Sequence, residues 1–253
     1  MNTAATLAPT ALPRLGLVCA ASHTPTLQRY LLQSPSLVQP QLPVLIRYGA
    51  SSAAAAFNPV CLEAQPVDWW VWVHQDVLLP GPSWFTCLAQ RLQQALALWP
   101  QLAVAGAYGI ALDGQRAGCV LDRGRALYEP CPLPVQAQAL DEMLLLVRAS
   151  SALRMDAALG FDFYGTDLAL QAEQNGYKAA VLEIDCEHWS STPSEPPFAD
   201  ALLERIARSA SVFERKWKHR LPITTPCLRL DRVGAAQQLM QQMRASQGQQ
   251  AEP

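Results

Sequence analysis

Apolar residues in this chain fall into two patterns: short unbroken blocks, and stripes in which they recur every three or four positions. The blocks at 15–20, 42–48, 69–73 and 102–105 are largely apolar on both faces. That pattern predicts buried strands of a mostly parallel central sheet. Helical patterns lie between the blocks. Thr24 followed by Pro25 reads as an N-cap and a first-turn proline. Leu27, Tyr30 and Leu31 form the buried stripe, and Ser34-Pro35 stops it. Residues 51–63 are Ala-rich and predict a helix whose regularity Pro59 limits. Pro82-Ser83 opens a further helix with Phe85, Leu88, Leu92, Leu96 and Trp99 on one face. Strand and helix alternate in this way up to residue 105, which predicts a Rossmann-related α/β sheet flanked by helices.

The pattern changes after that point. Gly106, Gly109, Gly114, Gly118 and Gly124 punctuate short strand-like pieces, as in hairpins and loops. Residues 135–139 and 143–147 read as strands on either side of Asp141-Glu142. Thr166 is the expected cap of a short helix that stops at Asn175-Gly176. Another strand is expected at 179–184. The clearest amphipathic helix is 198–217, with Phe198, Leu202, Ile206, Phe213 and Trp217 on its stripe. We divide the chain into a loose tail (1–13), one α/β domain (14–230) and a Gln-rich tail (231–253) compatible with a frayed helix.

Composition narrows the function. A chain of 253 residues suits one α/β domain with a full core. Half of the residues are hydrophobic and 16% are charged, which favours a compact globular protein over a disordered one. A net charge of −2 points away from nucleic acid. No apolar run reaches the ~18 residues of a membrane span, and residues 1–13 lack the basic start of a secretion signal. The seven cysteines are scattered with no C-x-x-C pair, arguing against a disulfide framework or a zinc ribbon. The expected compartment is a reducing cytoplasm.

The candidate chemistry sits where the tryptophan block ends, at His74-Gln75-Asp76-Val77. Open α/β sheets bind ligands at the carboxyl ends of their strands. Residues i and i+2 of an extended chain point the same way, so His74 and Asp76 could face one metal ion or nucleotide. The competing reading is a chain turning polar as it leaves the core. Against it, three polar residues come together without a turn-forming Gly or Asn. Histidine is also scarce, at His23, His74, His188 and His219. No Walker loop is present, and Gly106-Ala107-Tyr108-Gly109 does not make a dinucleotide-binding turn.

Several motifs occur in a telling order across residues 15–225. They are Ser51-Ser52-Ala53-Ala54 with Asn58, Val73-His74-Gln75-Asp76-Val77, and Gly106 with Gly109. Leu140-Asp141-Glu142-Met143-Leu144-Leu145, then Gly160-Phe161-Asp162-Phe163-Tyr164-Gly165-Thr166-Asp167-Leu168, and last His188-Trp189-Ser190 follow. Together they resemble the glycosyltransferase family 2-like group with the GT-A fold. The resemblance is to its bacterial branch with His-Gln-Asp in place of Asp-x-Asp.

The resemblance implies a metal-dependent, inverting transferase. It would move a sugar from a nucleotide-sugar donor, UDP-linked by default, to an unidentified acceptor: a glycan, a protein or a small molecule. Mn2+ or Mg2+ would sit at the diphosphate, held by Asp76 and His188. His74, Gln75, Ser22, Tyr48 and Asn58 would line the donor site, and Trp189 would stack on a sugar. Asp167, with Asp162 second, would take the acceptor's proton. The family's acidic pair falls here on Tyr164-Gly165. That departure keeps open a non-catalytic nucleotide- or glycan-binding relative. A metal-dependent hydrolase built on His74, Asp76 and His188 is a third reading, although no H-E-x-x-H motif is present. Asp141-Glu142 is either a solvated turn or an acceptor-orienting pair.

Overall fold

The computed structural model describes residues 11–62, 66–193 and 195–250. Three apolar blocks become β1 (Leu15–Ala21), β2 (Val44–Tyr48) and β3 (Trp69–His74). β1 lies in the middle and pairs in parallel with both neighbours. Alternate residues of these strands enter opposite layers. Leu17, Cys19, Val71 and Val73 face one buried cluster, while Val18, Trp70 and Trp72 face the other. Strands buried on both sides are what unbroken apolar blocks encode. Gly16 belongs to this packing, because a Cβ there would lie 2.4 Å from the Trp70 ring.

Helices cover both layers. α1 (Thr24–Arg29) lies on one side, where Leu27 is buried, and α2 (Ala53–Phe57) on the other. After β3 come the two-residue β4 (Val77–Leu78), α3 (Trp84–Leu98) and β5 (Leu102–Gly106). The glycine-punctuated region forms β6 (Tyr108–Ala111), β7 (Arg116–Asp122), β8 (Arg125–Tyr128) and β9 (Val135–Leu140). β10 (Leu144–Arg148) follows the Asp141-Glu142 turn. Then come α4 (Tyr164–Gln174), β11 (Lys178–Val181) and β12 (Glu187–His188). α5 (Asp200–Lys216), the hairpin β13 (Ile223–Thr224) and β14 (Arg229–Leu230), and α6 (Ala235–Gln250) complete the described chain.

The large sheet has the order β2-β1-β3-β10-β5-β11-β9-β6-β7-β12-β4, with β8 on β7. β10 inserts antiparallel between β3 and β5, and β5 and β11 resume the parallel direction. This is a mixed α/β sheet flanked by helices. β4 follows β3 after Gln75 and Asp76 alone, yet it ends the strand order. The sheet therefore curls back on itself, and His74, Gln75 and Asp76 lie at the seam.

Local chemistry moved several boundaries. His23, not Thr24, caps α1: its side chain accepts from the Thr26 N–H. Thr24 and Pro25 lie inside the helix, where a first-turn proline loses no internal hydrogen bond. The helix expected at 51–63 is only Ala53–Phe57, capped by Ser52, with a separate 3-10 turn at Val60–Leu62 beyond Pro59. Its expected end at Glu63 lies outside the described residues. α4 begins before Thr166, because Phe163 adopts φ 64° and turns the chain into the helix at Tyr164. The strand expected at 179–184 pairs only as far as Val181. The Gln-rich segment forms α6, which docks on α5. The buried Glu214 carboxylate accepts the Gly234 and Ala236 N–H groups at 2.5 and 2.9 Å, satisfying donors at the α6 start. Among the described residues, no helix is long and apolar enough to cross a membrane.

Candidate metal centre and donor crevice

Strand register builds this site. Ala20 on β1 pairs with His74, and Ala21 pairs with Tyr48 on β2, so the carboxyl ends of β2, β1 and β3 form one line. Gln75 ties two of these ends together. Its Oε1 accepts from the Ser22 and His23 N–H groups, both at 3.0 Å, and its Nε2 donates to Ser22 Oγ at 3.2 Å. Ser22 and Gln75 thus hold the loop that follows β1. Tyr48 closes β2 with 58% of its surface exposed. Asn58 is committed elsewhere: its amide clamps the backbone of Met155 at both N and O.

β4 brings in the second half. It pairs antiparallel with β12, placing His188 opposite Val77, and the Trp189 N–H donates to the Asp76 carbonyl at 2.8 Å. Asp76 and His188 are thereby fastened side by side. Asp76 Oδ1 lies 3.6 Å from His188 Nε2 and 4.0 Å from His74 Nδ1. One ligand atom from each of these residues falls within 4.8 Å of the others. Asp76 Oδ1 is buried and has no hydrogen-bond partner among the described residues.

A buried carboxylate oxygen without a donor costs about 1–3 kcal/mol or more. A cation relieves that cost. Bonds of about 2.1 Å from one ion hold its ligands about 3–4 Å apart, so the 3.6 and 4.0 Å from Asp76 Oδ1 to the two imidazoles fit. The donor set, two imidazoles and a carboxylate, suits Mn2+ better than Mg2+, which prefers oxygen.

The surroundings tune both imidazoles. Burial keeps the His74 pKa below the ordinary value despite the nearby Asp76. Burial also pulls His188 down, but the hydrogen bond to Asp122 and the charge of Asp76 outweigh it and raise that pKa. His188 Nδ1 lies 2.8 Å from Asp122 Oδ1, and Arg123 Nη2 holds the other Asp122 oxygen at 2.5 Å. A carboxylate behind a ligand imidazole is the usual outer partner of a metal-bound histidine. β7 and β12 run parallel with Asp122 opposite His188. Gly124 marks the β7–β8 hairpin in the sequence, and Asp122 opposite Arg125 closes it, but nothing in that signal marks Asp122 as the partner of His188.

The two expected acids lie in different settings. Asp167 is 0% exposed. Its Oδ1 accepts from Lys216 Nζ and Trp217 Nε1, both at 2.8 Å, and its Oδ2 from Gln171 at 2.6 Å. This carboxylate anchors α5 to α4, and it has no surface with which to meet an acceptor. Asp162, at 9% exposure, is gripped by the Arg205 fork at 3.0 and 3.2 Å and by Ser209 Oγ at 3.0 Å. The Asp141-Glu142 turn is half-buried. Burial and the charges of Asp141 and Asp162 push the Glu142 carboxyl well above the usual range. Trp189 stacks on Tyr30 with ring centroids 5.9 Å apart and an 8° tilt, so one indole face is already covered.

No family model matches the chain. It is 27% identical over 158 residues to the "ATP synthase subunits region ORF 6" protein of Fuscovulum blasticum, across 58% of this chain and 59% of that protein. The match thus spans under two thirds of that relative. Among solved structures, the chain is similar to the mannosyltransferase PcManGT of Pyrobaculum calidifontis, in complex with GDP-Man and Mn2+. The TM-score is 0.52 at 14% identity, covering 82% of this chain and 66% of that one. It is also similar to GalNAc-T7 with UDP, GalNAc and Mn2+, with TM-score 0.52 at 11% identity, covering 94% of this chain and 55% of that one. These likenesses identify the fold as GT-A.

Proposed function

We propose that this GT-A-fold chain is a glycosyltransferase that binds a nucleotide-sugar at the carboxyl ends of β1–β3 with a divalent cation at His74, Asp76 and His188. The observation that carries the reading is the buried, partnerless Asp76 Oδ1 between two imidazoles. Both similar solved structures contain Mn2+ with a nucleotide or nucleotide-sugar, which supports the same class of ligand here. Mn2+ is the favoured ion on donor chemistry. When bound, it would neutralise charge on the departing diphosphate. Exposed Tyr48 is offered to the donor base, and Ser22 with Gln75 shapes the loop beside it.

Transfer requires the acceptor oxygen to bond to the anomeric carbon as the bond to the diphosphate breaks. The acceptor's proton must go to a base. We assign that role to Glu142 rather than to Asp167 or Asp162. Asp167 has no exposed surface, and both oxygens of Asp162 are occupied by Arg205. Glu142 is a half-buried turn carboxyl beside the cluster, since the Tyr164 hydroxyl that meets its backbone carbonyl also reaches His74 Nε2. Burial with the charges of Asp141 and Asp162 raises its pKa and so its strength as a base.

The engagement of both expected acids also favours a second reading, a relative that binds the nucleotide-sugar without transferring the sugar. One experiment separates the two. Nucleotide-sugars are screened by thermal shift with and without Mn2+, since a ligand that prefers the folded state raises its stability. The stabilising donor is then incubated with candidate glycan, protein and small-molecule acceptors, and released nucleoside diphosphate is measured. Mn2+-dependent stabilisation with acceptor-dependent release supports transfer. Stabilisation without release supports binding alone, and release without acceptor supports a hydrolase. No stabilisation by any donor overturns the proposal.

A further inference from the structure

The Tyr164 hydroxyl is the meeting point of three groups. Trp72 Nε1 donates to it at 3.1 Å, it reaches the Glu142 carbonyl at 3.2 Å, and it lies 2.7 Å from His74 Nε2. The placement is tightly determined. Phe163 at φ 64° turns the chain so that α4 starts on Tyr164, which is 1% exposed. Gly165 then lets the helix press on the end of β9, where a Cβ would fall 2.6 Å from the Leu140 carbonyl oxygen.

A phenol has one proton to give and two lone pairs. An indole N–H can only donate, and a backbone carbonyl can only accept. With the phenol proton on the Glu142 carbonyl and one lone pair taken by Trp72, the remaining lone pair calls for a donor at His74 Nε2. We propose that Tyr164 is a positioning residue that holds His74 as its Nε2–H tautomer, so that the Nδ1 lone pair faces Asp76 Oδ1 and a bound cation. This inference rests on the metal reading above. The opposite tautomer fits poorly. Its Nδ1–H would point at Asp76 Oδ1 across 4.0 Å, too far for a hydrogen bond, and the Glu142 carbonyl would lose its donor to the ring. His188 is the mirror case. Asp122 can only accept, so it takes the Nδ1–H and leaves the Nε2 lone pair toward Asp76. The two histidines therefore need opposite tautomers to aim at one oxygen, and two different partners, a phenol and a carboxylate, select them.

The test begins with the wild-type, metal-free protein, above the titration range of both rings, by long-range 1H–15N correlation spectroscopy. The expected result is a protonated Nε2 on His74 and a protonated Nδ1 on His188. A protonated Nδ1 on His74, or a tautomer-averaged pattern, overturns the inference without any variant. Tyr164→Phe is then titrated with Mn2+ alone, followed by electron paramagnetic resonance. Affinity should fall about 10–100-fold, the usual cost of losing an outer-shell partner, and His74 should become a tautomer mixture. A folded variant with wild-type affinity and an unchanged His74 tautomer overturns the inference. Should the variant fail to fold, the wild-type spectrum decides. A wild type that shows the expected tautomers but binds no Mn2+ overturns the metal reading and leaves the tautomer assignment standing.

Discussion

Two aspartates in this molecule are withdrawn from solvent beside basic partners, and they differ in what their oxygens receive. Asp167 accepts from Lys216, Trp217 and Gln171, and both of its oxygens are satisfied. Asp76 has two imidazoles within 3.6 and 4.0 Å, and its buried Oδ1 accepts from neither. The first arrangement is complete as it stands and joins two helices. The second is complete only with something added. Burial and nearby opposite charge do not separate structural from functional carboxylates; the count of satisfied lone pairs does.

The comparison breaks most visibly at Asp167. Asp167→Ala leaves the Lys216 ammonium and the Trp217 N–H without their shared acceptor. Lys216 keeps Asp156 at 2.8 Å, so the cost is chiefly that of the buried donors left unpaired, Trp217 Nε1 above all, about 1–3 kcal/mol for each such group. Urea unfolding should show a loss of that size, with Mn2+ affinity of the folded fraction unchanged. Wild-type stability in this variant would mean that the cluster is not structural.

Asp76→Asn should do the reverse. Stability of the metal-free protein should hold or rise, because no hydrogen bond to Oδ1 is lost and a buried charge without a donor is removed. Mn2+ affinity should drop by at least about 100-fold, or roughly 2.7 kcal/mol. Titration monitored by electron paramagnetic resonance checks the affinity, and urea unfolding the stability. A large fall in stability would place Asp76 in the structural class with Asp167.

A smaller effect lies in the pH dependence of His188. Its folded-state pKa is raised, so without metal it contributes stability fully present below the unfolded value, about 6.5, and lost as pH rises through the folded value. The proton and a cation compete for Nε2, so Mn2+ affinity should fall as pH drops into that same window. Asp122→Asn removes the charge-assisted hydrogen bond that, with the charge of Asp76, outweighs burial, so both profiles should move to lower pH. Profiles that superimpose on wild type would show that Asp122 does not set the state of His188.

Much of the fold was legible because strands buried on both faces spell themselves out as apolar blocks, as at Trp69 to Val73. The strand-end cluster was legible for the same reason, since His74 and Asp76 stand where such a block stops. That His188 faces Asp76 was readable only from a family resemblance. The β4–β12 ladder that joins them is two residues long and leaves no periodic trace. Tyr164 was opaque because a tyrosine beside Phe163 looks like core packing, and only its hydroxyl departs from that role. The expectation for Asp167 as a base meets a long-range contact that the sequence does not display. A first-turn acid reads the same whether it meets a substrate or, as here, a lysine from another helix. The early start of α4 had the same kind of cause, since no propensity predicts a left-handed Phe163.

The most direct test of the central claim is calorimetry of UDP and GDP with the wild-type protein and with Asp76→Asn, each in Mn2+ and in chelator. The account predicts that wild type binds one of the two nucleotides in Mn2+ and loses it in chelator, while the variant binds neither nucleotide in either condition. Equal nucleotide affinity with and without Mn2+, or an Asp76→Asn protein that keeps metal-dependent binding, would contradict it.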